Sequence, residues 1–181
     1  IIKGQIDLNK TIINFDDINY KKEKNKTSNI NFTVSLEKDF ALNEFSYKEG
    51  ENKIFLKNLM FSKKYQIKKL DNVELNFKNN NKILNQIILI RNKDNYKLSG
   101  SNFDFSSSIK KIINGNSSND ILKRFEKLNS TINLNIENLY VDQKNNLSNF
   151  EGKITIVNSK VHSAKIESYL NKENNFSLNI N

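Results

Sequence analysis

The chain has 181 residues, of which 36% are hydrophobic and 10% aromatic, and it carries a formal net charge of +9. This apolar content is too high and too regularly patterned for a disordered chain, and the length suffices for one domain with a substantial core. The sequence contains no cysteine and no proline. It therefore has no disulfides, thiolate metal sites or thiol nucleophiles.

The positive charge does not by itself indicate a nucleic-acid partner. Arg91 and Arg124 are the only arginines, and the lysines lie scattered among acids, as in Lys21-Lys22-Glu23-Lys24. Proteins that read bases or phosphates favour arginine forks and clustered basic patches. We therefore expect no specific nucleic-acid binding. Lysines on strands also discourage edge-to-edge aggregation.

Apolar and polar residues alternate along most of the chain. This pattern predicts antiparallel β-strands with one apolar and one wet face. In chain order the clearest runs are residues 30–36, 73–77, 96–98, 132–136, 154–156 and 176–180. Turns are predicted between runs at residues 49–52, 79–81 and 92–95, where Gly, Asn and Asp cluster.

One run does not alternate. Residues 83–90 are almost continuously apolar. This run predicts a strand that is covered on both faces, with the helical segment as its second cover.

A short phrase recurs six times. It consists of an apolar residue, two polar residues, an apolar residue, any residue and usually another apolar one. Its third position is always Asp, Glu or Asn. The copies are residues 15–20, 42–47, 56–61, 70–75, 136–141 and 147–152.

Each copy marks a slip in the alternation. Before the fifth copy the apolar positions are even-numbered, up to Ile136, and after it they are odd-numbered, from Leu139. Such a slip would turn the apolar set outward unless an inserted residue restored the face. We predict a bulge or tight turn at the third position, most clearly at Asn58, Asn72 and Asn138. A two-residue hairpin turn at each copy is the alternative.

Two stretches change to helical spacing. Ser106 or Ser107 is predicted to cap a short helix that ends at Gly115, and Ser118 or Asn119 to cap a second helix. The apolar faces of the two helices are Ile109, Ile112 and Ile113, and Ile121, Leu122, Phe125 and Leu128. The predicted order is therefore about eight strands over residues 1–104, a helical insert over 106–128, and about four strands over 131–181. We interpret 1–181 as a single domain.

The predicted fold is mainly β: a long antiparallel meander curled into a twisted groove, with a short two-helix insert. Two short helices cannot cover the apolar faces of about a dozen strands. The sheet must fold on itself as a sandwich or barrel, or leave its apolar face to a ligand such as acyl chains. The residues expected to line this lipid groove are Phe32, Val34, Val73, Leu75, Phe77, Leu134, Ile136, Ile154 and Ile156.

Residues suited to catalysis are scarce. His162 is the only histidine, and the five glycines form no phosphate-binding loop. Asp16 and Asp17 are adjacent, and adjacent strand residues point to opposite faces. We expect no enzymatic activity, no metal and no cofactor.

The stretch Leu98-Ser99-Gly100-Ser101-Asn102-Phe103-Asp104-Phe105-Ser106-Ser107 resembles a junction of AsmA-like proteins, in which a strand ends in Gly and an Asp-containing element leads into a short helix. Residues 134–141 and 147–154 resemble the strands that follow it there. The resemblance, to the YhdP-type domain related to TamB, covers most of the chain and is best over residues 96–166.

This resemblance implies a bridge-like lipid transfer protein of the Gram-negative envelope. Such proteins are anchored in the inner membrane by an N-terminal helix and lie in the periplasm. They are thought to carry phospholipids between the membranes in a β-groove and to maintain the outer-membrane barrier. On this interpretation the chain is an excerpt of a longer protein, with phospholipid acyl chains and envelope proteins as partners. The alternative is a structural or adhesive surface β-repeat protein with a closed core.

Overall fold

The computed structural model describes residues 1–36, 39–113 and 122–181. Most of the described chain is β-strand, which confirms the predicted mainly β class. The strands are β1 Ile2–Asp7, β2 Ile13–Phe15, β3 Tyr20–Lys22, β4 Ser28–Leu36, β5 Phe40–Glu49, β6 Asn52–Phe61, β7 Ile67–Lys69, β8 Asn72–Lys78, β9 Leu84–Asn92, β10 Asn95–Asp104, β11 Ser130–Tyr140, β12 Asn146–Val157, β13 Lys160–Leu170 and β14 Asn174–Ile180.

Twelve of the described strands form one open sheet in the order β1-β4-β5-β6-β8-β9-β10-β11-β12-β13-β14, and β7 extends the pairing of β6. Strands β2 and β3 form a separate two-stranded hairpin. Strands β10 and β11 are parallel, so the predicted all-antiparallel meander is wrong at this one pair. The cause is the intervening segment, because a parallel neighbour requires the chain to return to the starting end of the sheet.

Within the described residues, the helical insert departs from the prediction. Helix α1 spans Ser106–Ile113, and a 3-10 turn, η1, spans Asp16–Ile18. The start of the second predicted helix, with Ile121, lies outside the described residues, as does Gly115. This helix does not reach Leu128 as predicted, because Phe125 pairs with Ile67 instead. The Ile67 N–H donates to the Arg124 carbonyl at 2.7 Å.

The start of α1 is capped by a residue that the sequence did not suggest. Asp104 and Phe105, rather than the predicted Ser106 or Ser107, accept hydrogen bonds from the first turn of the helix. The Ser106 N–H donates to the Asp104 carboxylate at 3.0 Å, and the Ile109 N–H donates to the Phe105 carbonyl at 3.0 Å. A carboxylate at a helix N-terminus also complements the helix dipole. The side chains of Ile112 and Ile113 lie outside what the structure describes.

The three predicted turns are present. The β5–β6, β8–β9 and β9–β10 hairpins turn at residues 50–51, 79–83 and 93–94. Gly50 and Lys93 adopt positive φ angles of 56° and 55° there. Left-handed residues of this kind give tight hairpins the twist that their strands need.

Two rows of side chains cross the sheet on its apolar face, because residues paired across strands point to the same side. The first apolar row pairs Gly4, Phe32, Phe45, Leu56, Val73, Leu89, Leu98, Leu134, Gly152, Ile166 and Leu178, one from each of eleven strands. The second apolar row pairs Ile6, Ile30, Tyr47, Ile54, Leu75, Ile87, Gly100, Ile136 and Phe150.

The repeated phrase does mark irregular pairing, although its third residue is not always the irregular one. Asn58 and Asn149 adopt φ angles of 51° and 50° inside strands, and the β12–β13 register shifts beside Asn149. In the second copy the β4–β5 register shifts at Asn43, next to Glu44. In the first copy the phrase forms a hairpin turn that contains η1, but four residues, 16–19, separate the paired Phe15 and Tyr20, so the turn is longer than the two-residue alternative.

The prediction is wrong for Asn72 and Asn138, which pair one to one with their neighbours. There the break falls one residue earlier, at Asp71 between β7 and β8 and at Glu137, for which no ladder partner exists. The alternation nevertheless changes between these residues: Ile136 and Leu139 are an odd number of positions apart, yet they belong to the same buried cluster.

The apolar run at residues 83–90 is covered on one face only, so the predicted two-sided burial is wrong. Along β9, Asn85 and Ile87 are buried whereas Leu84, Ile88 and Ile90 are exposed. The reason is that the β2–β3 hairpin and the start of the connection between β10 and β11 both lie on the side of the sheet that carries the two apolar rows.

Gly100 offers a test of how closely the strands approach at the second apolar row. A Cβ atom there would lie 2.1 Å from the Gln86 carbonyl oxygen and 2.7 Å from Ile87 Cδ1. We predict that Gly100→Ala lowers the free energy of unfolding by about 1–3 kcal/mol, measured by urea denaturation, because backbone must shift to relieve the overlap.

The matched control is Gly50→Asn. Gly50 has φ of 56° and no neighbour within 4 Å of an added Cβ, and Asn tolerates the left-handed region. This variant should change stability little. Equal losses in the two variants would show that the close approach at Gly100 has no special cost.

Candidate functional site

The 20-residue connection between β1 and β4, residues 8–27, folds back over the apolar face. We call residues 13–22 of this connection, which form β2, η1 and β3, the covering hairpin. Its side chains pack with both apolar rows, and α1 lies against η1. The cluster beneath it contains Tyr20, Tyr47 and Phe77, all buried, surrounded by Leu8, Ile13, Ile18, Ile30, Phe45, Ile54 and Leu75.

Tyr20 is the central attachment of the covering hairpin. Its ring meets those of Tyr47 and Phe77 edge-on, with centroids 6.1 and 5.5 Å apart. Its hydroxyl donates to the buried Glu49 carboxylate and lies 2.8 Å from the Tyr47 hydroxyl. Burial, together with the hydrogen bond to Glu49, raises the pKa of Tyr20 far above its ordinary value. The hydroxyl therefore remains a donor at any physiological pH.

Lys22 closes the base of the covering hairpin. Its side chain is fully buried, and its ammonium group donates to the carbonyls of Thr11 at 2.7 Å, Glu23 at 3.0 Å and Asn9 at 3.5 Å. A buried ammonium is costly unless its donors are satisfied. Three carbonyl acceptors match its three donors, so Lys22 holds the loop around itself.

A third attachment ties η1 to the turn between β8 and β9. The Asn80 N–H donates to the Asn19 carbonyl at 2.9 Å, and the Asn80 side-chain amide donates to the Asn19 side chain at 3.3 Å. Asn19 has φ of 51°, which ends η1 and starts β3. The covering hairpin is thus held at its base, its centre and its tip.

An apolar pocket of about 380 Å³ lies between the covering hairpin and the sheet. Ligand pockets in proteins commonly measure about 300–1,000 Å³. The hairpin contributes one wall, and members of both apolar rows form the other. The lining residues are Ile13, Phe15, Asp17, Ile18, Ile30, Phe45, Tyr47, Ile54, Leu56 and Leu75.

Larger depressions among the described residues are lined mainly by polar or charged side chains. In one of about 470 Å³, Ile90 is the one aliphatic residue among lysines, Arg91, Asp71 and two asparagines. A second, of about 580 Å³, is lined by Glu137, Asn138, Ser148, Asn149, Tyr169 and Lys172, and it follows the irregular pairing of β11 and β12. A third, of about 550 Å³, lies beside the second near β14. None of the three combines an apolar wall with a few placed polar groups, as small-molecule sites usually do. The pocket under the covering hairpin is therefore the candidate site.

The nine residues that the sequence assigned to a lipid groove all lie on the apolar face. Phe32, Val73 and Leu134 belong to the first apolar row and Leu75 and Ile136 to the second. The other four lie on the same strands, two or four residues from a row member. They are Val34, Phe77, Ile154 and Ile156.

Their surroundings differ, however. Phe77, Leu134, Ile136 and Ile156 are buried by the chain's own packing. The Phe32 ring lies over Gly4, since a Cβ built there would be 2.3 Å from Phe32 Cζ. Only Leu75 of the nine lines the apolar pocket.

The sequence prediction missed most of the pocket. Ile30 stands in the same alternating run as Phe32, and Phe45 and Leu56 are apolar positions of the repeated phrase, so their face was readable. The sequence did not show that Ile13 and Ile18 contribute to the pocket. Their segment is short and its alternation is interrupted by η1, so nothing in the sequence showed that it folds back over the sheet.

A buried polar network lies at the ends of strands β8 and β10. The Asp104 carboxylate accepts from Asn79 at 2.6 Å and Asn81 at 2.8 Å, in addition to Ser106. The Asp104 N–H donates to the Asn85 side chain at 2.7 Å. Burial acts to raise the pKa of Asp104, but the hydrogen bonds from Ser106, Asn81 and Asn79 outweigh it and hold that pKa below its ordinary value.

Within residues 1–36, 39–113 and 122–181, no cluster of three or more His, Asp or Glu side chains could hold a metal ion. His162 is exposed on β13, at the register shift beside Val161. Over the same residues, no helix has the length and apolar character needed to cross a bilayer.

Comparison with known proteins returned no relatives: no family model, no curated protein and no solved structure matches this chain. What the chain does has to be inferred from its own residues.

We predict that Tyr20→Phe loosens the covering hairpin. The variant keeps the ring contacts but removes the hydroxyl from Glu49 and Tyr47, and leaving a buried carboxylate short of a donor costs about 1–3 kcal/mol. Limited trypsin cleavage at Lys21, Lys24 or Lys26 should accelerate about fivefold or more.

The control is Tyr65→Phe, because the Tyr65 side chain is 87% exposed. Its cleavage rate should match that of the unmodified chain. Unchanged cleavage in Tyr20→Phe would show that the ring contacts and the Lys22 and Asn19 attachments hold the hairpin without the hydroxyl.

We also predict an acid-sensitive contribution from Asp104. Because its pKa is lower in the folded chain than the ordinary 3.8, the stability it confers is present at neutral pH and is lost as the pH falls below 3.8 through the folded pKa. Asp104→Asn should lower the free energy of unfolding at pH 7 by about 1.5–3 kcal/mol, and the deficit should shrink in acid.

Urea denaturation over a pH series measures this difference. Asp94→Asn is the control, since that side chain is 91% exposed. A deficit in Asp104→Asn that stays constant down to the acid limit would contradict an ionised Asp104.

Proposed function

We propose that this chain is a non-enzymatic lipid-binding module that holds a phospholipid acyl chain in the apolar pocket under the covering hairpin. The observation that carries the proposal is the pocket itself, with Phe15, Phe45, Ile54, Leu56 and Leu75 among its walls. An acyl chain needs an elongated apolar surface and few polar partners. Each buried methylene contributes roughly 0.8 kcal/mol.

The two apolar rows give the pocket its place in a larger surface. They run across the strands on both sides of it, so a chain bound at Ile54 would continue along neighbouring row members such as Phe32 or Val73. In this proposal the sheet curls around the rows to form a groove, and the covering hairpin closes one stretch of it.

The wider role follows from the resemblance to AsmA-like envelope proteins. We propose that the chain serves phospholipid movement between the inner and outer membranes, within a longer periplasmic protein anchored in the inner membrane. Maintenance of the outer-membrane barrier would then be its physiological purpose. Lipid binding in the pocket can be tested independently of the proposed location, anchor and barrier role.

A closed structural or adhesive domain is the second candidate. The observation in its favour is that Phe77, Leu134, Ile136 and Ile156, four of the expected groove residues, are buried by the chain itself. In such a domain the pocket under the covering hairpin would be a packing defect, and the apolar rows would have no ligand.

The deciding experiment places a photo-crosslinking amino acid at Phe15 or Leu56, which line the pocket. The chain is expressed in a Gram-negative host and irradiated in cells. Capture of phospholipid at these positions, but not at the exposed control position Tyr65, is the expected result. Crosslinks within the protein alone would favour the closed structural domain.

A pocket-filling variant gives an independent measurement. Ile54→Phe adds volume to the pocket wall, and Leu178→Phe makes the same kind of addition at the exposed edge strand β14 on the same face. We predict that phospholipid detected by native mass spectrometry falls in Ile54→Phe and persists in Leu178→Phe. Equal lipid in both would place the binding site elsewhere.

A further inference from the structure

The outer face of the sheet, opposite the two apolar rows, carries an unexpected apolar stripe. Leu84, Ile88 and Ile90 on β9 are 45%, 42% and 49% exposed. They alternate with buried or partly buried residues, so they stand on one side of a single strand and span about 20 Å. Strand β9 lies in the interior of the sheet order, so the stripe is not an edge waiting for another strand.

Lysines border the stripe at both ends. The pairing register places Lys78 directly beside Leu84 and Lys97 directly beside Ile90, and Lys57 lies one strand beyond Asn72 in the row of Ile90. Lys57, Lys78 and Lys97 are exposed, and they form no ion pair within the described residues.

The one carboxylate on the outer face of β6, β8, β9 and β10 is Glu74, beside Ile88. It is already engaged: Lys53 Nζ lies 3.9 Å away, and the Asn72 side-chain amide donates to it at 3.0 Å. Lys53 also lies over the Phe55 ring, 5.3 Å from its centroid. The four strands therefore present four lysines against one carboxylate around an aliphatic centre.

We propose that this outer surface docks on an anionic phospholipid bilayer. Exposed apolar patches mark interaction sites, and lysines bordering one are attracted to anionic headgroups. The aliphatic stems of lysine lie along apolar surface while the ammonium groups reach the phosphates. Leu84, Ile88 and Ile90 then enter between the headgroups.

The composition of the surface favours a membrane over nucleic acid. It contains lysines rather than arginine forks, and its centre is aliphatic rather than a platform of aromatic rings on which bases would stack. The chain's net charge of +9 adds long-range attraction to a negatively charged surface. The proposal does not depend on the acyl pocket, which lies on the opposite face.

Vesicle flotation tests this surface. The full chain is mixed with phosphatidylcholine vesicles, with and without phosphatidylglycerol, at low and at high salt. We expect binding only to the anionic vesicles, weakened by salt. Lys97→Glu lowers the net charge of the surface by two units. Each lysine charge near an anionic membrane changes the binding affinity by about fivefold, so this variant should bind about tenfold or more weakly. The double variant Ile88→Ser/Ile90→Ser should also lose binding.

Matched controls separate the stripe from general charge and general apolarity. Lys165→Glu makes the same charge change on the outer face at β13, and Val157→Ser removes an exposed aliphatic side chain from the outer face at β12. Both should bind nearly as well as the unmodified chain. Circular dichroism should show all variants folded, since the altered side chains are exposed.

Equal binding to neutral and anionic vesicles, or equal losses in Lys97→Glu and Lys165→Glu, would overturn the proposal. So would the absence of vesicle binding together with binding of a labelled oligonucleotide that Lys97→Glu abolishes. Failure here would leave phospholipid capture under the covering hairpin unaffected, because that readout uses the other face.

Discussion

Two rows of apolar side chains cross the sheet, and the rest of the structure depends on the pairing register that keeps them on one face. A one-residue slip in any strand would turn its members outward. Each fully buried Leu, Ile or Phe in the rows contributes roughly 1.5–3 kcal/mol. The irregularities at Asn43, Asn58, Glu137 and Asn149 fall where the alternation of the sequence changes parity, and they return the apolar residues to this face.

The class of the fold and its apolar face were predictable because alternation is a local signal. The direction of β11 was not, because parallel and antiparallel strands show the same alternation. Two-sided burial of β9 was wrongly inferred, since continuous apolar runs do not reveal whether a cover exists. For the candidate site, the alternation predicted the face on which Ile30 and Leu75 form the sheet wall of the pocket. It did not predict that Ile13 and Ile18 lie opposite them. Their position depends on tertiary attachments at Tyr20, Lys22 and Asn19.

Buried polar groups decide where the covering hairpin lies. Tyr20 with Glu49, and Lys22 with its three carbonyls, are satisfied in one arrangement of the loop over residues 8–27. An apolar hairpin could slide over an apolar sheet at little cost, but a buried carboxylate or ammonium cannot lose its partners cheaply. The same property keeps a pocket open, because the hairpin is fixed at separate points and does not collapse onto Ile54 and Leu56.

The parallel pairing of β10 with β11 also determines how the chain folds. Most other neighbouring pairs in the sheet close over a short turn, but Tyr96 pairs with Ile132, 36 positions further along the chain. Contacts this distant in sequence form slowly, because the loop entropy must be lost before they contribute. We expect hairpins on each side to assemble first, as two half-sheets that join at this seam. The segment that carries α1 would then settle last, starting beside Asp104, whose carboxylate accepts from the Ser106 N–H.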